Sequence, residues 1–163
     1  LDADDLWHRE KLTRQVTLMA NTNAVLSYTG YQHMDEASQL LSRKIIPPHE
    51  LRITDLLSNN QIGCLTVMVR REALKGLRFK NIGNEDFAFW LEILKANNAS
   101  ATGISEVLAS YRIVKGSRSD KKLNAAIARW KVLRNEVGLS LLPAMYYMAK
   151  YAVTGAIKHK RFV

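Results

Sequence analysis

LDADDLW, residues 1–7, places three carboxylates within four positions, between Leu1 and the apolar pair Leu6 and Trp7. If Leu1 ends a buried strand, Asp2, Asp4 and Asp5 stand at its carboxyl end, where open α/β sheets bind ligands. Their mutual repulsion then calls for a cation. That reading expects Mg²⁺ or Mn²⁺ carrying a phosphate. The other reading is a helix N-terminus, with Asp4 or Asp5 as the cap and acids favoured at the positive end of the dipole. On these seven residues alone the cap leads, because acidic caps are common and short motifs match by chance.

Outward from the opening, strand and helix patterns alternate. HREKLTRQVTLMA spaces Leu12, Val16 and Met19 as a helix does, and AVLSYTGY is rich in strand formers. RKIIPPHELRITDLLSNN reads as a loop around Pro47 and Pro48, then a short helix stopping at Asn59 and Asn60. CLTVMVRR reads as a buried strand, and REALKGL as one or two helical turns ending at Gly76. NEDFAFWLEILKANN repeats apolar side chains at Phe87, Trp90, Leu91 and Leu94, an amphipathic helix that begins at its two acids. EVLASYRIV is a last strand, and two helices joined near Gly138 follow from Asp120 onward.

Composition bounds the class. The 163 residues are 47% hydrophobic, enough to bury one domain's core, and no internal repeat or low-complexity tract is present. A single cysteine, Cys64, excludes an internal disulfide and a cysteine-based zinc cluster, which fits a reducing compartment. No signal peptide is visible, the first residue is not Met, and the opening reads as a strand already under way. The later part of a longer protein is therefore expected. The net charge of +9 is uneven: residues 1–110 hold 12 Lys and Arg against 13 Asp and Glu, whereas residues 111–163 hold 12 against 2. A basic tail of this kind points to an anionic partner.

A second acidic site, Glu85 and Asp86, falls where a helix should start. A cap is one reading, and the dipole would keep both side chains ionised. The functional reading pairs the two sites: one acidic cluster at a strand end suits a metal, and another at a helix start suits accepting a proton.

Four blocks in order, LDADDLW with KLTRQV, GCLTVMVRREAL, NEDFAFWLEIL and ASYRIVKGSRSDKK, resemble the second half of a family 2 glycosyltransferase. The resemblance is to the bacterial enzymes that assemble surface polysaccharides. It implies an α/β fold: residues 1–119 as the C-terminal part of a GT-A nucleotide-diphospho-sugar transferase domain, followed by C-terminal helices over residues 120–163. It also implies that N-terminal nucleotide-binding strands are missing, so this part alone should bind nucleotide poorly. Asp4 would bind Mg²⁺ or Mn²⁺ on the donor diphosphate, with Asp2 near the ribose or the metal and Asp5 as adjacent support. Asp86 would be the catalytic base, with Glu85 beside it and Trp90 one turn further on as an acceptor contact. Arg112, Lys115, Ser117 and Ser119 fall in the loop that closes over the diphosphate in relatives. Many relatives read Tyr-Arg-x-His after the last strand; Val114 stands at the histidine position here, so no metal-binding histidine is expected from this block. His8, His33, His49 and His159 lack ligand spacing and are expected at the surface.

The implied reaction moves a sugar, with inversion, from a nucleotide-diphospho-sugar donor to a hydroxyl of a saccharide or lipid-linked saccharide. The implied location is cytoplasmic, peripheral on the inner face of the plasma membrane. The stretch LSLLPAMYYMAKYAVTGAIKHKRF fits that location in part. Lys150 at its centre costs roughly 3 kcal/mol in a spanning helix, and Pro143 interrupts its start. A helix lying in an anionic interface, flanked by Lys158, Lys160 and Arg161, and a helix packed on the domain both remain open. A non-catalytic anionic-lipid or nucleic-acid binding module would explain the basic tail, but not the five carboxylates, and no RNA or DNA motif is present. A Mg²⁺-dependent phosphatase would need a catalytic lysine and a later acidic ligand in an arrangement the GSRS loop does not supply.

Overall fold

The computed structural model describes residues 2–114 and 122–160, with side chains for all of these except 122 and 156–160. The order is β1 (Leu6–Trp7), α1 (Lys11–Thr22), β2 (Leu26–Met34), β3 (Leu40–Ile45), β4 (Glu50–Leu51), α2 (Ile53–Ser58), β5 (Met68–Val69), α3 (Glu85–Asn97), β6 (Ala101–Arg112), α4 (Lys122–Lys131) and α5 (Leu141–Lys160). The sheet runs β1-β6-β2-β3, with β4 on β6 and β5 on β2. Its centre is the parallel pair β2 and β6, from Ser27 opposite Thr102 to Met34 opposite Arg112. A parallel pair needs a long crossover, and α2 and α3 supply it. The remaining pairings are antiparallel. Gly103 is required where β6 meets the 48–49 loop: a Cβ there would lie 2.2 Å from the Pro48 carbonyl oxygen and 2.9 Å from the Tyr28 ring.

The mixed α/β architecture agrees with the sequence reading, and three local expectations do not. Residues 43–48 are not wholly loop, because β3 pairs back on β2 as a hairpin, with Tyr31 opposite Ile45. The expected strand at 64–71 is a 3₁₀ turn, Cys64–Thr66, before the two residues of β5. Its cause is local: the Gly63 carbonyl takes both the Thr66 N–H at 2.9 Å and the Thr66 hydroxyl at 2.7 Å, so a turn outcompetes the ladder. The third concerns α1, whose buried side chains are Lys11, Gln15 and Met19, while Leu12 and Val16 are exposed.

Polar burial on α1 is possible because the network is closed. Lys11 Nζ donates to Gln15 Oε1 at 2.7 Å and lies 4.0 Å from the Trp7 ring centroid. Gln15 Nε2 in turn donates to Ser27 Oγ and to the Thr66 carbonyl, both at 3.0 Å, and Trp7 Nε1 donates to the Leu65 carbonyl. Burial of the ammonium with no carboxylate contact pushes the Lys11 pKa down to about 8. The network fastens α1 and β1 to the 64–66 turn.

The apolar core gathers around α3, whose Phe87, Ala88, Trp90, Leu91, Ile93 and Leu94 are all buried. Val132, Leu133 and Ala144 from the C-terminal helical segment join the same core. Arg129 shows that the basic tail is not wholly a partner-facing surface. Its guanidinium is buried between the rings of Phe87 and Tyr151 and donates to the carbonyls of Leu56 (3.0 Å) and Leu57 (2.7 Å) at the end of α2. Positive charge at a helix C-terminus is favourable, and burial pushes this pKa down to about 10.

Candidate active site

The opening carboxylates neither cap a helix nor lie in a strand. They occupy a turn closed by the Asp5 N–H and the Asp2 carbonyl at 3.2 Å, and α1 begins only at Lys11. Asp2 and Asp4 are exposed, whereas Asp5 is buried. The Asp5 carboxylate accepts the Arg112 backbone N–H at 3.0 Å, and its pKa is raised, chiefly by burial, with Asp4 and Asp2 adding repulsion. Asp5 is thus corrected from supporting metal ligand to an inward-facing anchor, its oxygen committed to β6.

Arg112, expected in the loop after the last strand, is instead the last residue of β6. Rather than standing free for a diphosphate, its side chain donates from Nε to the Asp4 carbonyl (2.9 Å), from Nη1 to the carbonyls of Asp35 (2.8 Å) and Glu36 (3.0 Å), and from Nη2 to Ser38 Oγ (3.0 Å). The planar fork holds the acidic turn and the β2–β3 turn in one arrangement. The turn that carries Asp2 and Asp4 is thus braced from β6. Lys115, Ser117 and Ser119, assigned with it to the diphosphate loop, lie outside the described residues, as do Leu1 and the side chains of Lys158, His159, Lys160 and Arg161.

At the other acidic site, α3 begins at Glu85 after Asn84, which adopts a left-handed conformation at φ 58°. Glu85 is exposed and Asp86 half-buried, its Oδ1 accepting the Phe87 N–H at 2.6 Å. The helix terminus was expected to keep this carboxyl readily ionised, yet its pKa is raised. Desolvation outweighs the Phe87 hydrogen bond, and the neighbouring Glu85 charge adds to it. A carboxylate that holds its proton more tightly is a better base.

Cys64 reveals how the two acidic sites are related. Desolvation pushes its thiol pKa up, and the carboxylates of Asp86, Asp2 and Glu85 add to the shift, so all three lie within electrostatic reach of one sulfur. Cys64 itself keeps exposed surface at the mouth of the 3₁₀ turn. The fold therefore brings residues more than eighty positions apart into one electrostatic neighbourhood around Cys64. The sequence reading used Cys64 only to judge redox compartment; its place inside the GCLTV block was the available signal.

Trp90 is corrected from acceptor contact to core residue: it is 4% exposed, with its ring against Phe79 and Phe89 and no hydrogen-bond partner for Nε1. His8 and His49 are exposed as expected. His33 is not a free surface residue, because it sits half-buried between Tyr31 (5.7 Å between ring centroids) and Tyr111 (5.9 Å). Burial lowers its pKa, and the Arg43 charge lowers it further. Tyr31 also adjoins the residue before Cys64, since a Cβ on Gly63 would lie 3.1 Å from its ring.

Among the described residues, no group of three or more His, Cys, Asp or Glu side chains is gathered to hold a metal ion unaided. Asp2 and Asp4 still fit Mg²⁺ or Mn²⁺ in a more limited way. Such hard ions are commonly held by one or two carboxylates together with substrate phosphates, and these two carboxylates face solvent on a braced turn.

No protein-family model matches the chain. Individual proteins do. It is 38% identical over 153 residues to TuaG of Bacillus subtilis, named as a teichuronic acid biosynthesis glycosyltransferase, covering 93% of this chain and 60% of that protein. It is 35% identical over 159 residues to WfgD of Escherichia coli, a UDP-Glc:α-D-GlcNAc-diphosphoundecaprenol β-1,3-glucosyltransferase, covering 98% of this chain and 62% of the relative. WfaP of Escherichia coli, named for the same reaction, is 30% identical over 159 residues, with 98% and 62% covered. Among solved structures, S. aureus TarS 1–349, crystallised with UDP-GlcNAc, superposes with a TM-score of 0.54 at 12% identity over 93% of this chain and 46% of that one. The fold is that of a partial GT-A domain. The chain is similar over nearly its whole length to proteins named glycosyltransferases, and it spans about three-fifths of the length of the curated relatives it matches.

Proposed function

We propose that the protein containing this chain is a metal-dependent, inverting family 2 glycosyltransferase. It moves a sugar from a nucleotide-diphospho-sugar to a hydroxyl of a lipid-linked saccharide in cell-surface polysaccharide synthesis. The observation that carries this reading is that Asp2, Glu85 and Asp86 all lie within electrostatic reach of Cys64, in a chain whose relatives are named glycosyltransferases.

Asp2 and Asp4, steadied by Arg112, would hold Mg²⁺ or Mn²⁺ together with the donor diphosphate. The ion, when bound, neutralises charge that develops on the leaving phosphate. Asp86 takes the proton from the acceptor hydroxyl. The acceptor oxygen forms its bond to the anomeric carbon as the carbon–oxygen bond to the diphosphate breaks, which inverts that centre and releases nucleoside diphosphate. A single base suffices because the leaving group needs no proton, unlike that of the two-carboxylate glycosidases.

A screen of nucleotide sugars against the full-length protein, with membrane extract as the acceptor source, tests this reading by mass spectrometry. Nucleoside diphosphate should accumulate with one donor, only when acceptor and divalent ion are both present. Release without acceptor, or none with any donor, would reject the transferase and leave the anion-binding module.

Location at the inner face of the plasma membrane belongs to the same proposal, and α5 supports it. Its inner face packs through Ala144, Tyr147 and Met148, whereas Leu142, Met145, Tyr146 and Val153 are exposed on the opposite side. Among the described residues no helix is long and apolar enough to cross a membrane. An exposed apolar stripe suits an interfacial helix. Because the inner face belongs to the core, point substitutions test this better than truncation. Leu142→Glu with Val153→Glu should leave the melting temperature unchanged and weaken sedimentation with anionic vesicles by at least about tenfold. Undiminished binding would count against the interface assignment.

A further inference from the structure

A cleft of about 570 Å³ opens beside α3 and is lined by Arg71, Leu74, Leu77, Arg78, Phe79 and Phe89, with Gly76 at its edge. No carboxylate lines it. Arg71 and Arg78 are exposed, and neither has an acidic partner among the described residues. The Arg78 side chain donates only to the neighbouring Leu77 carbonyl, at 3.0 Å. By contrast, Arg14 pairs with Glu10, and Lys80 with Glu92 and Glu136. Two unpaired guanidinium groups on one apolar cleft favour an anion, and the planar fork of arginine matches phosphate oxygens.

The aromatic wall is built to present a ring. Phe79 is 52% exposed, with one side resting on Phe89 at 4.2 Å between centroids and its edge against the buried Trp90 at 5.8 Å. The two carboxylates on Lys80 tether the same segment. An apolar ring kept in water but held in place is a prepared platform, because little freedom remains to be lost on binding. Phe89 follows Asp86 by three residues on α3, about 4.5 Å along the axis, so the platform lies one turn from the proposed base.

We infer that this cleft is an acceptor subsite, in which Arg71 and Arg78 take the diphosphate of a diphospholipid-linked saccharide and Phe79 packs against the adjoining sugar or first prenyl unit. The inference rests on the transferase reading and adds residues to it. The donor also carries a diphosphate, but none of the carboxylates assigned to the donor metal lines this cleft.

The test uses the full-length protein with Arg71→Gln combined with Arg78→Gln. In metal-free buffer the wild type should bind inorganic diphosphate, the double variant at least about tenfold more weakly, and Asp4→Asn as the wild type does. In turnover, the KM for a polyprenyl-diphosphate-linked saccharide should rise at least about tenfold, with the donor KM and the KM for the same saccharide as a phosphate-free alkyl glycoside unchanged. Unchanged diphosphate binding, or an equal rise with both acceptors, would overturn the subsite. A rise in donor KM alone would reassign the arginines to the donor. Wild-type protein that binds diphosphate through these arginines but transfers no sugar would overturn the transferase reading and the acceptor assignment, leaving a bare anion site. Transfer unaffected by the double variant would overturn the subsite alone.

Discussion

Asp86→Asn should reduce sugar transfer by at least about 100-fold while leaving donor affinity within experimental error of the wild type. The amide keeps the carboxylate's size, and its oxygen still accepts the Phe87 N–H, so the first turn of α3 is preserved. What it lacks is basicity. The pH profile gives an independent check, since burial and the Glu85 charge raise the Asp86 pKa. The base works only when ionised, so wild-type turnover should fall as pH drops through a value above that of an ordinary aspartate. Glu85→Gln should move that acid limb to lower pH by removing the neighbouring charge. The same sign applies to stability: a carboxyl whose folded pKa is raised costs stability once ionised, so Asp86→Asn should melt no lower than wild type at neutral pH. Near-normal turnover in Asp86→Asn would reduce the residue to a feature of the helix start.

Arg112→Met should lower folding stability by about 3 kcal/mol and raise the divalent-ion concentration needed for half-maximal donor binding by about 10- to 100-fold. Four hydrogen bonds from one guanidinium span the acidic turn and the β2–β3 turn, and methionine replaces none of them. Arg112→Lys distinguishes positioning from direct contact. A lysine retains the charge a diphosphate would attract but cannot reach the Asp4, Asp35, Glu36 and Ser38 acceptors together, so it should rescue little. Full rescue by lysine, or lost donor affinity with unchanged melting and unchanged metal dependence, would show that Arg112 touches the donor itself. Calorimetric melting and a metal titration separate these outcomes.

The limits of sequence reading show most clearly in α1. Helical spacing identified the element, but two of the three apolar side chains that defined the spacing, Leu12 and Val16, are exposed, while Lys11 and Gln15 are buried beside Met19. Periodicity measures where apolar residues recur. Whether a polar pair is buried depends on partners distant in the chain, here Ser27 and the Thr66 carbonyl, and no local pattern records them. Trp90 illustrates the same limit from the other side. Its place one turn beyond Asp86 suggested an acceptor contact, yet Phe79, brought over it by the 75–84 segment, takes the exposed position.

By itself, the sequence determined the α/β class, the helix that starts at Glu85, the short helix ending before Asn59, the later part of the last strand, and the paired C-terminal helices around Gly138. These follow from local chemistry: apolar periodicity, acids at a helix start, an asparagine pair that stops the short helix, and a left-handed backbone at Gly138. The ordered blocks also carried the glycosyltransferase resemblance, because spacing along a chain survives in sequence. Only the tertiary structure decided that Asp5 turns inward, that Arg112 braces the acidic turn, that Arg129 is core, and that Asp2, Glu85 and Asp86 come within electrostatic reach of Cys64. Each of these depends on contacts between residues tens of positions apart. Such contacts are fixed by how β2 and β6 pair and how α3 packs on them, and not by any neighbour in sequence.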